Sequence, residues 1–163
     1  MPRTRYTSWM LSTNTFSHTG AGGSAPWDRA TAAGYVWTAI GENIAWVGTT
    51  GTLNLEAAVE SIHQNLFLSS GHRENLENDT YTEVGVALQT GPFKSGNTTY
   101  NSAMATELFG DNGTQFFLTG VAYNDTDLDA FYSMGEGRGD VSFTVGTAST
   151  TTAAAGGYSL KVA

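Results

Sequence analysis

A chain of 163 residues with 40% hydrophobic and 12% aromatic residues can bury a real core, which excludes a disordered polymer. Its formal net charge of -8, with only seven scattered Lys and Arg residues, excludes the basic patch that a nucleic-acid backbone requires. The absence of cysteine excludes disulfides and a thiol nucleophile, and no apolar run reaches the roughly 20 residues of a membrane-spanning helix.

Taken in order, Met1-Pro2-Arg3-Thr4-Arg5 is basic, but no apolar h-region follows it, so it does not read as a signal peptide. Tyr6, Trp9 and Met10 stand at helical spacing. Residues 19–24 are a Gly-rich loop, and Pro26 opens a short helix that Ser24 could cap and Gly34 would end. The stretch from Gly41 to Ala45 is short and apolar, broken at Gly48. Leu55, Val59, Ile62 and Leu66 predict a helix over residues 53–68, capped by Asn54 and followed by Gly71. Residues 83–88 read as a buried strand, 90–98 as a Gly/Pro/Asn loop and 99–109 as a second strand. After Asp111-Asn112-Gly113 helical periodicity ends. Strands are expected at 116–122, 141–145 and 157–162, with a Thr/Ala-rich stretch over 147–155. The domain boundary is therefore placed near residue 112, giving segments 1–111 and 112–163.

Two imidazoles with a carboxylate are a competent set for a borderline divalent cation such as zinc, and His18, Glu42 and His72 supply those types. Their wide spacing alone equally allows ordinary surface or hydrogen-bonded roles. The surrounding segments carry more. Phe16-Ser17-His18-Thr19, Pro26-Trp27-Asp28-Arg29, Ala33-Gly34-Tyr35, Gly41-Glu42-Asn43-Ile44-Ala45, the run from Ser69 to Leu76 and Glu83-Val84-Gly85-Val86 fall in order. Together they resemble the bacterial branch of the CAP (SCP) superfamily of cysteine-rich secretory, antigen-5 and pathogenesis-related proteins, over about residues 6–110. The resemblance implies an α+β fold, an α-β-α sandwich with a cleft, whose first helix is largely missing from the match. It implies that His18 and His72 are the cleft histidines and Glu42 its acid, with a divalent cation and a sterol, lipid or peptide as ligands. It also implies secretion or a cell-surface location. The sequence departs from the family where Leu66 replaces a Trp and where Ser69 stands in place of a second acid, for which Glu56 and Glu60 are possible substitutes.

Nearby residues have plainer readings beside their functional ones. Glu56, Glu60 and His63 share one helical face, which is either a metal face or a solvated one. Asn43 could orient Glu42 or cap a turn. Arg73 could support the cleft or form a surface ion pair.

Asp125, Asp127, Asp129 and Glu136 fall at positions one, three, five and twelve of an EF-hand-type calcium loop. Phe131 would offer its carbonyl and Ser133 or a water the ninth ligand, while Ala130 stands where such a loop wants Gly. Flanking strands argue against an EF-hand domain. Residues 117–162 resemble part of a B-type repeat of bacterial adhesins, which implies a small all-β sandwich-like segment with structural calcium.

Three functions follow as expectations. One is an exported cleft protein binding a divalent cation and an apolar or peptide ligand. The second is a metal-assisted hydrolase with Glu42 as general base. No His-Glu-x-x-His helix and no nucleophile elbow is present, which leaves a serine hydrolase poorly supported. The third is a structural or adhesive surface module with a vestigial cleft.

Overall fold

Helical spacing at the start of the chain becomes α1 (Thr4–Ser12), with Met10 fully buried. The computed structural model describes residues 4–113 and 116–162, and the chain divides into two compact units, residues 1–113 and 114–163.

The first unit is built on a three-stranded antiparallel sheet of β1 (Ala39–Thr49), β2 (Glu83–Ser95) and β3 (Thr98–Asp111), in the order β1-β3-β2. Successive side chains of a strand point to opposite faces, and the sheet uses both. Ile44 and Met104 join Met10 and Phe93 in one core under α1, with Trp46 packed alongside. Ala45, Ala103 and Ala105 face the other way and meet Ala58, Ile62 and Leu66 of α3 (Leu55–Leu68). The alanines are small because a helix lies close over them. The short helix α2 (Pro26–Ala32) packs against β1, as does α4 (Ser70–Leu76).

Local chemistry sets the ends. Asn54 caps α3 by accepting a hydrogen bond from the Ala57 N–H at 3.1 Å. The N-cap of α2 is Ala25 rather than Ser24, and its N–H is satisfied by the Asp28 carboxylate at 2.9 Å. Gly34 follows α2 with φ +82, the left-handed conformation expected after a helix.

Several sequence expectations are corrected. β1 runs through Gly48 to Thr49, because Gly48 lies where Tyr100 and Ser102 approach its backbone too closely for a side chain. β2 is not a short buried strand. It continues to Ser95 through the expected loop and turns back at Gly96-Asn97, and Val84 and Val86 are exposed because β2 is a sheet edge. Pro92 fits within it for the same reason. Gly71 does not simply follow a helix but lies inside α4, which the sequence did not signal.

The second unit contains β4 (Phe116–Val121) paired with β7 (Gly157–Val162), and β5 (Ser142–Val145) paired with β6 (Ala148–Thr151). The Thr/Ala-rich stretch thus supplies β6. Phe143 stacks on Tyr158 at 4.2 Å, and Leu160 is buried. The buried Thr152 hydroxyl donates to the Arg138 carbonyl at 2.6 Å and accepts from the Val141 N–H at 3.0 Å. Gly156 has φ +83, and a Cβ there would lie 2.1 Å from the Ala122 carbonyl oxygen.

Candidate functional site

Glu42 and Asn43 are neighbours in β1 and therefore face opposite sides of the sheet. Each organises a separate polar group.

On the α1 and α2 side, the Glu42 side chain is only 2% exposed. A buried carboxylate needs partners for both oxygens. Its Oε1 lies 2.9 Å from His18 Nδ1, and its Oε2 accepts from Arg29 at 2.6 Å. Arg29 also donates to the carbonyls of Ser24 at 2.8 Å and His18 at 3.0 Å, and its guanidinium lies 3.5 Å from the centre of the Tyr6 ring. The Tyr6 hydroxyl in turn donates to the Ser17 carbonyl. Burial raises the Tyr6 pKa; nearby Arg29 opposes that rise and Glu42 adds to it. One arginine thus ties the 17–24 loop to the acid.

A carboxylate accepts only, so it holds His18 with its proton on Nδ1. Nε2 is left without a partner among the described residues. The His18 side chain is 51% exposed and borders a cleft of about 330 Å³ with Pro26, Trp27, Ile40 and Gly41.

On the α3 and α4 side, fully buried Asn43 donates to the His72 carbonyl at 3.0 Å and to Glu107 at 3.1 Å, and accepts from Asn75 at 2.8 Å. His72 Nδ1 lies 2.8 Å from Ser69 Oγ. Gly41 has no side chain because a Cβ would sit 2.5 Å from the Tyr81 hydroxyl and 2.9 Å from Asn75. The Gly-Glu-Asn segment therefore has three physical jobs: close approach, a buried charge and a buried amide. Arg73 does not reach Glu42. It donates to the Phe67 carbonyl at 3.2 Å and faces Glu77 at 3.9 Å. His63 lies against Phe67 with ring centres 6.4 Å apart, and Glu56 and Glu60 are exposed.

His18, Glu42 and His72 do not form a compact ligand trio. Among the described residues, the group whose three ligand atoms all lie within 4.8 Å of one another is Asp125, Asp127 and Glu136. The chemistry of the histidines still suits a borderline cation. Each has its Nδ1 engaged by an oxygen, as metal-ligating imidazoles usually do, so Nε2 would be the nitrogen to meet a cation. Glu42 would stand behind His18 rather than on a cation, since it is buried between His18 and Arg29.

A larger groove of about 1070 Å³ opens between α1, α2 and the sheet, with Trp9, Ala33, Ala87 and Leu108 among its apolar walls. At its rim the Tyr35 hydroxyl donates to the Glu83 carboxylate. Burial first, then that bond and the Glu83 charge, push the Tyr35 pKa well up.

In the second unit, Glu136 is buried. It accepts from the Thr126 N–H at 2.6 Å, the Thr126 hydroxyl at 2.7 Å and the Ser133 N–H at 2.9 Å. The Thr126 hydroxyl first, then the two N–H groups, hold its carboxyl down at about 2. Asp127 is raised by desolvation and by the charges of Asp129 and Glu136. Asp125 accepts from the N–H groups of Asp129 at 3.1 Å and Ala130 at 3.0 Å. Asp129 stands outside the trio, with its carboxylate accepting from the Phe131 N–H at 2.7 Å. Ala130 has φ +64, so it adopts the conformation for which glycine is preferred.

The sequence profile of CAP, the Cysteine-rich secretory protein family, matches residues 4–105. The chain belongs to the CAP family. That match covers β1, β2 and the first part of β3, with His18, Arg29, Glu42, Asn43, His72 and Asn75, and a mixed helix and sheet fold agrees with it. No curated protein and no solved structure matches the chain. Among the described residues no helix of this CAP protein is long and apolar enough to cross a membrane.

Arg29, Asn75 and Glu107 are the residues that sequence reasoning missed. Arg29 had a signal: it is the one basic residue between Arg5 and Arg73, so a buried acid in that region had a single arginine to meet. Asn75 and Glu107 had none, because their role depends on α4 and β3 meeting around Asn43.

Proposed function

We propose that this CAP-family chain is an exported binding protein. His18 and His72, each in its own polar group, offer an imidazole nitrogen to a divalent cation such as zinc, and the groove beside α1 takes a lipid or a peptide. The observation that carries this reading is the buried Glu42 carboxylate, shared between Nδ1 of His18 and Arg29, with His18 half-exposed at the border of a cleft. The groove walls supply apolar area of the kind that small-ligand sites use. In the second unit, Asp125, Asp127 and Glu136 are proposed to hold calcium as a structural ion, with Ser133 close by.

Binding is preferred over hydrolysis for a geometric reason. A general base must reach the proton it abstracts. The Glu42 side chain is 2% exposed and its two oxygens already face His18 and Arg29, so bulk water has little access to it. If the site hydrolyses anything, the base is His18 Nε2, with Glu42 stabilising the imidazolium.

Metal content and affinity of the purified chain test the reading, comparing wild type with a His18→Ala/His72→Ala pair and an Asp125→Ala/Glu136→Ala pair. Loss of a transition metal only in the first pair and of calcium only in the second supports both sites. Unchanged metal content in both pairs overturns both, and leaves the groove as the place to look for a ligand.

A further inference from the structure

The β2 strand is an open sheet edge, and its chemistry changes along its length. Lys94 offers both backbone groups outward: its N–H donates to Asn14 Oδ1 at 2.5 Å and its carbonyl accepts from Asn14 Nδ2 at 2.9 Å. The β2–β3 register continues without a bulge from Glu83↔Gly110 to Ser95↔Thr98. In an antiparallel ladder the backbone groups of alternate residues point the same way. Thr90, Leu88, Val86 and Val84 therefore also point outward. The Leu88 carbonyl agrees, since it accepts from its neighbour Gln89 Nε2 at 2.8 Å instead of from a strand.

One end of this edge is closed. Lys94 is capped by Asn14, and Pro92 has no N–H to offer. The other end is open. From Val84 to Gly91 there is no charge and no proline, which are the usual protections of an edge. Val84 and Val86 are 53% and 61% exposed there.

We propose that this open half of β2 pairs antiparallel with the same segment of a second copy of the chain, about a two-fold axis at Val86. The segment is complementary to itself in that register. Val86 meets its own copy and Val84 meets Leu88, so each exposed valine gains an apolar cross-strand neighbour. Glu83, the charged residue just before the segment, meets Gln89 rather than a second acid. Moving the axis to Ala87 would instead set Val84 against Thr90. The Leu88 carbonyl keeps a second lone pair for the new strand. Self-pairing gives an isologous contact that closes at two copies and joins two three-stranded sheets into one. This inference does not depend on what the His18 cleft or the groove binds.

The 163-residue chain tests it, and its lack of cysteine gives a clean background. Sedimentation equilibrium should give a mass near twice 17.2 kDa for wild type. Val86→Lys should be monomeric with an unchanged near-UV CD spectrum, since the side chain it replaces is largely exposed. Under mild oxidation Val86→Cys should link to itself, because facing residues with outward groups lie about 5.5 Å apart at Cα, within disulfide reach. Val84→Cys should not link, because its own copy lies four residues along the partner strand, roughly 13 Å away. A wild type that stays monomeric, a dimer that survives Val86→Lys, or Val84→Cys linking as readily as Val86→Cys would each overturn the proposal. If Val86→Lys fails to fold, the two cysteine variants decide it.

Discussion

Glu42 is charged and almost out of reach of water, so the energetics of its surroundings turn on two contacts. Removing one member of a buried ion pair leaves the other uncompensated, which costs about 3 kcal/mol. Glu42→Gln should therefore lower the stability of the first unit by about that amount in chemical denaturation. It should also release the His18 tautomer, seen as a change in the His18 imidazole resonances by NMR. A stability loss within error of zero would mean that Arg29 and His18 find other partners. Ala130 makes the opposite case. An L-residue at φ +64 is strained, and glycine is not. Ala130→Gly should stabilise the second unit by about 0.5–1 kcal/mol, after the entropy glycine adds to the unfolded chain. Thermal unfolding of the two proteins side by side measures it.

Elements show where periodicity reads well and where it does not. α3 was legible to within two residues because its apolar spacing and its cap agree. Asn54→Ala should cost about 1 kcal/mol through the orphaned Ala57 N–H. Leu66, 2% exposed in the core with Ala103 and Ala105, should cost about 3 kcal/mol as Leu66→Ala. Denaturant midpoints at constant slope check both. β2 was harder to read. Its Gly91 and Pro92 resemble loop chemistry, yet an edge strand tolerates a proline at an outward-facing position, which needs no N–H. α4 escaped notice because seven residues carry less than two full turns of apolar pattern.

For the whole molecule, pH separates the units. Glu136 has its carboxyl pulled from an ordinary 4.5 down to about 2 by bonds made only in the folded state. A depressed acid stabilises the fold above its unfolded pKa, and that contribution is lost as pH falls through the folded one. The second unit should therefore weaken between about pH 4.5 and 2. Glu136→Gln should remove that part of the acid response. Near-UV CD of the stacked Phe143 and Tyr158 reports it. Asp127 works in the other direction, since desolvation and neighbouring charge raise its pKa and make its ionised form unfavourable. An added cation should relieve this, so calcium should raise the unfolding temperature of the second unit and lose that effect in Asp125→Ala/Glu136→Ala.

The family, the mixed helix and sheet class, the main helix with its cap, and the residue types gathered around β1 are all legible along the chain. These rest on local spacing and on short segments in order, which a linear chain records. Packing sets the rest: Glu42 and Asn43 serve opposite faces, Arg29 takes the second Glu42 oxygen, and the closest acidic group is Asp125, Asp127 and Glu136. Each of those outcomes depends on which groups burial brings within hydrogen-bond reach. That is a property of packed elements far apart in the chain, and spacing along the sequence does not encode it.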